Sequence, residues 1–186
     1  MAMQFHLDVE KMIQAAAAVL RTESSREMSY LRLLKLLYIA DRECLRETGR
    51  PIVGGRQVAM DWGPVPSRPY DAIKGCDSCL LRWQDFIECS GYKVRLVHDP
   101  GMDRLTKYEA YKLAEVVGQN VNLNEWELSA STHEFPEYIK HEPPKGSKEE
   151  IPWEDIAEAV GLSEKLPSLQ RYEQERAAAF AALKRA

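Results

Sequence analysis

The chain has 186 residues, enough for one domain of ordinary size, and 45% of them are hydrophobic, including four Trp, so the material for a real core is present. A formal charge of −4 argues against a general polyanion binder, whose domain is usually strongly basic. No stretch free of charged residues approaches the roughly 20 residues of a membrane span, and Asp8 and Glu10 come too early for a secretory leader, so a cytoplasmic protein is expected.

In chain order, Asp8 caps the first predicted helix, with Leu7 and Met12 as a hydrophobic staple across the cap. Val9, Met12, Ile13, Ala16, Val19 and Leu20 give that helix an apolar face whose alanine section lets another helix approach closely. Thr22–Glu27 reads as a short polar connection, of the kind that joins helices packed together. Ser29 then caps a long central helix, and Gly49 followed by Pro51 stops it. Placed about 100° apart, its leucines together with Tyr38, Ala40 and Cys44 fill well over half of the wheel, so this helix is covered on several sides.

Asp41 falls inside that apolar arc, where a carboxylate is costly unless it is hydrogen-bonded. Arg32, Lys35, Arg42 and Arg46 form a basic stripe diluted by Glu43 and Glu47; it is expected to be solvated or partner-facing, since no aromatic residues interleave it as a nucleic-acid surface would require. Gln57–Trp62 alternates and reads as a strand with Val58, Met60 and Trp62 on its buried face. Gly63, Pro64, Val65, Pro66 and Ser67 follow as a rigid loop, because glycine allows a tight turn and the prolines fix backbone angles. The Trp62 indole N–H or the Ser67 hydroxyl is the expected donor to Asp41, tying this loop to the central helix. Gly54-Gly55-Arg56 leads into a strand rather than out of one, which removes the simplest nucleotide-binding reading.

Arg68–Lys74 is predicted as a short helix presenting Tyr70 and Ile73 and ended by Gly75. Cys76 and Cys79 have the spacing of a metal knuckle, but a structural zinc site wants four ligands and only Cys89 and His98 lie near. They are read as reduced thiols, Cys44 as a small core residue, and no metal or cofactor is expected. Leu80–Ile87 fits a helix or a strand. Tyr92–His98 alternates and is expected to pair with Gln57–Trp62 in one small antiparallel sheet.

Thr106–Glu109 is a capping box for a helix ending at Gly118, and Asn122–Glu125 opens the next, which carries Trp126 and Leu128. Thr132-His133-Glu134 holds catalytic residue types, but neighbours at a helix end point apart and no nucleophile accompanies them. His133 is therefore read as hydrogen-bonded to the loop around Pro136, and no catalytic residue is assigned. His141–Glu150 is polar and proline-rich, a surface loop or linker, and Pro152 and Pro167 suit the first turns of two last helices.

The stretch Lys35–Gly75, KLLYIADRECLRETGRPIVGGRQVAMDWGPVPSRPYDAIKG, resembles the core motif of the Panacea domain. That is the SocA-like antitoxin family of bacterial type II toxin–antitoxin systems, which also includes phage-associated GepA-type proteins. The matching features are the KLLY run, ADRE, GRPI, the VAM strand, and GPVPS followed by YD. Trp126–Tyr138, WELSASTHEFPEY, resembles the family's later Thr-His…Pro-Glu segment, so the likeness runs from about Leu31 to Tyr138.

The expected architecture is α+β and mainly α-helical: one compact domain over residues 1–186, with a long buried central helix, a small antiparallel β-sheet, a family-like core over 31–138 and a helical extension over 151–186. The resemblance implies an antitoxin, not an enzyme, that neutralises a toxin encoded nearby by direct contact, and it also admits an adaptor delivering that toxin to a protease machine. Trp62, Pro64, Pro66, Arg68 and Tyr70 are the candidate partner-binding residues, because loops on a rigid scaffold commonly carry binding residues. Asp41, Gly63, Ser67 and His133 are the candidate structural motif. Three alternatives stay open: an interaction protein without a toxin partner, a DNA-binding autoregulator, and a hydrolase or zinc enzyme using Cys76, Cys79 or His133.

Overall fold

The computed structural model describes residues 3–76 and 80–183. In chain order the elements are α1 (Val9–Leu20), β1 (Glu27–Ser29), α2 (Tyr30–Thr48), β2 (Gln57–Met60), β3 (Gly63–Pro66), α3 (Ser67–Lys74), α4 (Leu80–Gln84), β4 (Ile87–Ser90) and β5 (Lys93–Leu96). Then come α5 (Lys107–Gln119), α6 (Glu125–Thr132), α7 (Pro136–Lys140), β6 (Lys148–Ile151), α8 (Trp153–Ala159) and α9 (Leu166–Leu183). The architecture is α+β and mainly helical.

Local chemistry sets the helix ends where expected. The Asp8 side chain accepts from the Lys11 N–H, and that of Ser29 from the Arg32 N–H. Gly49 closes α2 at φ 77°, a left-handed conformation that a side chain resists. Thr106 and Glu109 form the full capping box of α5, which passes Gly118 and ends at Asn120, whose side-chain amide caps the Val116 carbonyl.

α2 is the axis of the molecule. Leu33, Leu36, Leu37 and Ala40 pack among residues of α1 and α5. Tyr38 and Leu45 join Trp153, Ile156 and Ile151, while Leu34 meets Val58 and Val65. Three separate apolar surfaces explain why the apolar arc is so wide. Each buried leucine contributes roughly 1.5–3 kcal/mol.

The strands correct the single sheet expected. β5 pairs with β1 and β4, and β2 pairs with β3 and β6, giving two antiparallel three-stranded sheets. β2 and β5 do not meet. The segment before Ser29 is extended and takes one side of β5, with Met28 opposite Val94. β2 finds its second neighbour in Lys148–Ile151, whose first three residues belong to the stretch read as a surface loop or linker. The GPVP segment is itself a strand, and its prolines lack the N–H groups that a central strand needs, so it lies at the sheet edge. The chain reverses at Asp61 and Trp62; strand alternation stops at Met60, and Trp62 projects outward instead of into the core. Leu80–Ile87 resolves into α4 followed by the first residue of β4.

Candidate protein-interaction site

Two buried polar side chains of α2 hold the loops that carry the site. Asp41, 1% exposed, accepts from the N–H groups of Ile52 (2.9 Å), Val53 (2.7 Å) and Gly54 (3.1 Å). Burial pushes its carboxyl up to about 7 against the pull of those three amides. The expected donors, Trp62 and Ser67, are not its partners: the Ser67 hydroxyl donates to Asp71. Asp41 tethers the Pro51–Gly54 turn, and the GPVP strand is held by Lys35.

Lys35 is fully buried and its ammonium donates to the Pro64 carbonyl at 2.8 Å. Burial holds its pKa well below the usual lysine range. Apart from the exposed Arg46, the basic stripe is therefore not a solvated face. Arg42 donates to the buried Glu137 at 2.7 Å and lies over the Phe135 ring, Arg32 donates to the carbonyls of Asn120 and Leu123, and Arg46 pairs with Glu43 and Glu47. Lys35, Arg32 and Arg42 thus bind α2 to β3, to the α5–α6 connection and to α7, whereas Arg46 pairs within α2; spacing on one helix does not reveal such roles.

Gly63 lies where β3 crosses α6. At φ 88°, a Cβ here would stand 2.5 Å from Thr132 Oγ1, 2.9 Å from His133 Cδ2 and 3.0 Å from Lys35 Nζ. The Ser129 hydroxyl donates to the Trp62 carbonyl at 2.7 Å, pinning the hairpin turn to α6. His133 stacks on Tyr138 with ring centroids 4.7 Å apart, and its Nε2 is buried without a hydrogen-bond partner among the described residues. Desolvation and the nearby Lys35 charge lower its pKa. Thr132 donates to the Ser129 carbonyl and Glu134 is exposed, so the three residues form no base-and-nucleophile pair.

Pinned in this way, the hairpin turn presents Trp62 58% exposed. Its ring meets Trp126 of α6, 49% exposed, edge-on at 5.2 Å. Trp126 stacks with Tyr92 at 6.2 Å, and Tyr92 contacts Tyr30 at 4.6 Å. The Lys74 ammonium then sits 4.1 Å from the Tyr30 ring and 5.7 Å from that of Tyr70. Five segments thus contribute to one aromatic ridge running from Trp62 to Tyr70, in which Trp62, Tyr92 and Trp126 are exposed and Tyr30 and Tyr70 are half-buried against the core. Contiguous exposed apolar surface of this kind marks interaction sites.

Of the residues singled out in the sequence, the structure brings Trp62 and Tyr70 to the two ends of this ridge. Arg68 is half-buried at the start of α3, whereas Pro64 and Pro66 are buried in β3. Tyr30, Tyr92 and Trp126 were missed: strand alternation grouped Tyr92 with Val94 and Leu96, the helix reading grouped Trp126 with Leu128, and Tyr30 was not singled out. The signal for Trp126 was its place in the first turn of a capped helix between Glu125 and Glu127; for Tyr92, its place directly after the turn residue Gly91.

Elsewhere, a cavity of about 900 Å³ lies between the N-terminal segment, the Pro51–Gly54 turn and α9, but its charged walls pair with neighbours: Lys11 with Glu109, Arg50 and Arg176 with Glu173, Arg104 with Asp8. Among the described residues no group of three or more His, Cys, Asp and Glu is placed to hold a metal ion. Cys44 is buried and Cys76 exposed, while Cys79 lies outside the described residues. No described helix is long and apolar enough to cross a membrane.

Residues 33–138, more than half of the chain, match the model of the family described as antitoxin SocA-like, Panacea domain. No curated protein and no solved structure matches the chain.

Proposed function

Because the chain belongs to the SocA-like antitoxin family with its Panacea domain, we propose that it neutralises a cognate toxin encoded nearby by direct contact through the aromatic ridge, without catalysis. Family membership supports the antitoxin-type role. The observation that carries the mode of action is the pair Trp62 and Trp126, about half exposed and touching each other at 5.2 Å while Trp83 and Trp153 are buried. Exposed tryptophans on a fixed scaffold are what binding hot spots are made of. The hydrogen bonds from Ser129 to the Trp62 carbonyl and from Lys35 to the Pro64 carbonyl fix that scaffold before a partner arrives, which lowers the entropic cost of association.

An adaptor role fits the same geometry, with the ridge holding the toxin and another face meeting a protease machine. A DNA-binding role is less favoured: the net charge is −4, and Arg32, Lys35 and Arg42 are spent on internal partners.

Co-expression with the genomic neighbour tests the proposal. The neighbour alone should arrest growth, and this chain should restore growth and co-purify with it. A harmless neighbour that forms no complex would overturn the antitoxin reading for this chain.

A further inference from the structure

The ridge carries information about its partner. One end already holds a cation, since the Lys74 ammonium lies over the Tyr30 ring and donates to its hydroxyl at 3.1 Å. The other end carries carboxylates. Asp61 directly precedes Trp62, and its two oxygens accept the Gly146 N–H at 2.9 and 3.0 Å. Glu125 and Glu127 flank Trp126, and burial, the neighbouring Tyr30 and then Glu125 raise the pKa of Tyr92. Of the basic groups near this end, Lys93 is committed to Glu27 at 2.7 Å and Arg32 to backbone carbonyls behind the ridge. Lys145, next to Gly146, and Lys148, opposite Met60, are exposed beside Asp61 and leave Glu125 and Glu127 as the carboxylates next to Trp126.

Resting on the reading of the ridge as the docking face, we propose that its partner presents a cationic surface, with arginine or lysine side chains laid on the open faces of Trp62 and Trp126 and paired with Asp61 and Glu125. Aromatic faces attract such cations, and arginine also stacks on indole. The rival occupants fit less well. A purely apolar partner would bury these carboxylates unpaired. A nucleic acid would bring phosphates against them. A second copy docking ridge to ridge would either set the same carboxylates against one another or, antiparallel, offer three carboxylates a single lysine, Lys74, already held by Tyr30.

The test uses the intact chain with ¹⁵N-labelled tryptophan. Its four indole N–H signals separate the ridge (Trp62, Trp126) from the core (Trp83, Trp153). The probes are a synthetic decapeptide of alternating arginine and glycine and the same peptide with glutamine in place of arginine. The arginine peptide should shift the Trp62 and Trp126 signals saturably and leave the other two in place. Its affinity should fall about tenfold in Trp126→Ala and fall again as salt rises. It should also fall in Asp61→Asn/Glu125→Gln, which leaves every ring in place.

No shift with the arginine peptide, equal affinity for the glutamine peptide, or a concentration-dependent shift without peptide that marks self-association would each overturn the proposal. Failure here is distinct from failure of the antitoxin reading. If Trp126→Ala abolishes the complex with the neighbouring protein while the arginine peptide does not bind, the docking face stands and the cationic assignment falls. If the peptide binds and the neighbour is harmless, the cationic assignment stands and the antitoxin reading falls.

Discussion

At the scale of single residues, Asp41 is a tether, because three backbone donors converge on it in the interior. Asp41→Ala leaves three N–H groups without an acceptor, at about 1–3 kcal/mol each if they stay dry. The expected loss is about 3 kcal/mol or more, a fall of roughly 10 °C in Tm for a chain of this size, and thermal unfolding by circular dichroism would read it; an unchanged Tm would contradict the tether. His141 makes a second residue-scale prediction. Its Nδ1 lies 3.1 Å from Glu149 of β6 and its Nε2 2.6 Å from Asp155 of α8. Burial opposes its charge, but the bonds to Asp155 and Glu149 outweigh that and raise its pKa above the ordinary 6.5. A raised folded-state pKa means stabilisation that is full below about pH 6.5 and lost as pH rises through the folded value. The stability difference between the wild type and His141→Gln, measured in urea, should therefore shrink as pH increases; a difference flat across that range would remove the clasp. That Asp41 needs partners was legible in the sequence, since its angle on the wheel places it in the core. Which partners it takes was not, because the Pro51–Gly54 amides carry no side-chain signature.

At the scale of elements, the helices were legible because caps and stops are local: Ser29, Gly49, Thr106 and Gly75 act within a few residues of themselves. Strand pairing was not, because it joins segments far apart in sequence. Nothing in Lys148–Ile151 states that it completes the sheet begun at Gln57, more than eighty positions earlier. Lys35 misled for a related reason: a lysine among arginines on one helix looks solvated until β3 and α6 are seen to cover it. Two predictions belong here. Gly63→Ala combines a left-handed backbone with a 2.5 Å approach to Thr132, and should cost about 3 kcal/mol and loosen the hairpin; an unaltered urea midpoint would show that α6 yields. A fragment ending at Lys140 retains residues 33–138 but loses β6, α8 and the Trp153–Ile156 packing over Tyr38 and Leu45. Each large apolar side chain uncovered costs roughly 1.5–3 kcal/mol against a total stability of about 5–15 kcal/mol, so the fragment should show no cooperative melt. A native-like transition in the fragment would contradict the shared core.

At the scale of the whole molecule, α2 organises three apolar surfaces, and the two small sheets stand apart, one built on β5 and the other on β2. The hairpin turn of the β2 sheet and the β4–β5 turn of the other both reach the start of α6, where Trp62, Tyr92 and Trp126 meet. The ridge is thus a product of the tertiary arrangement, which is why the sequence disclosed its two ends, Trp62 and Tyr70, and not its middle. The most direct measurement is the affinity of the Trp62→Ala/Trp126→Ala variant for the neighbouring protein, compared with wild type at matched Tm. Docking through the ridge predicts that binding weakens by about a hundredfold or more and that growth protection is lost while the fold is retained. A variant that binds and protects as well as wild type would place the interaction elsewhere and contradict the account.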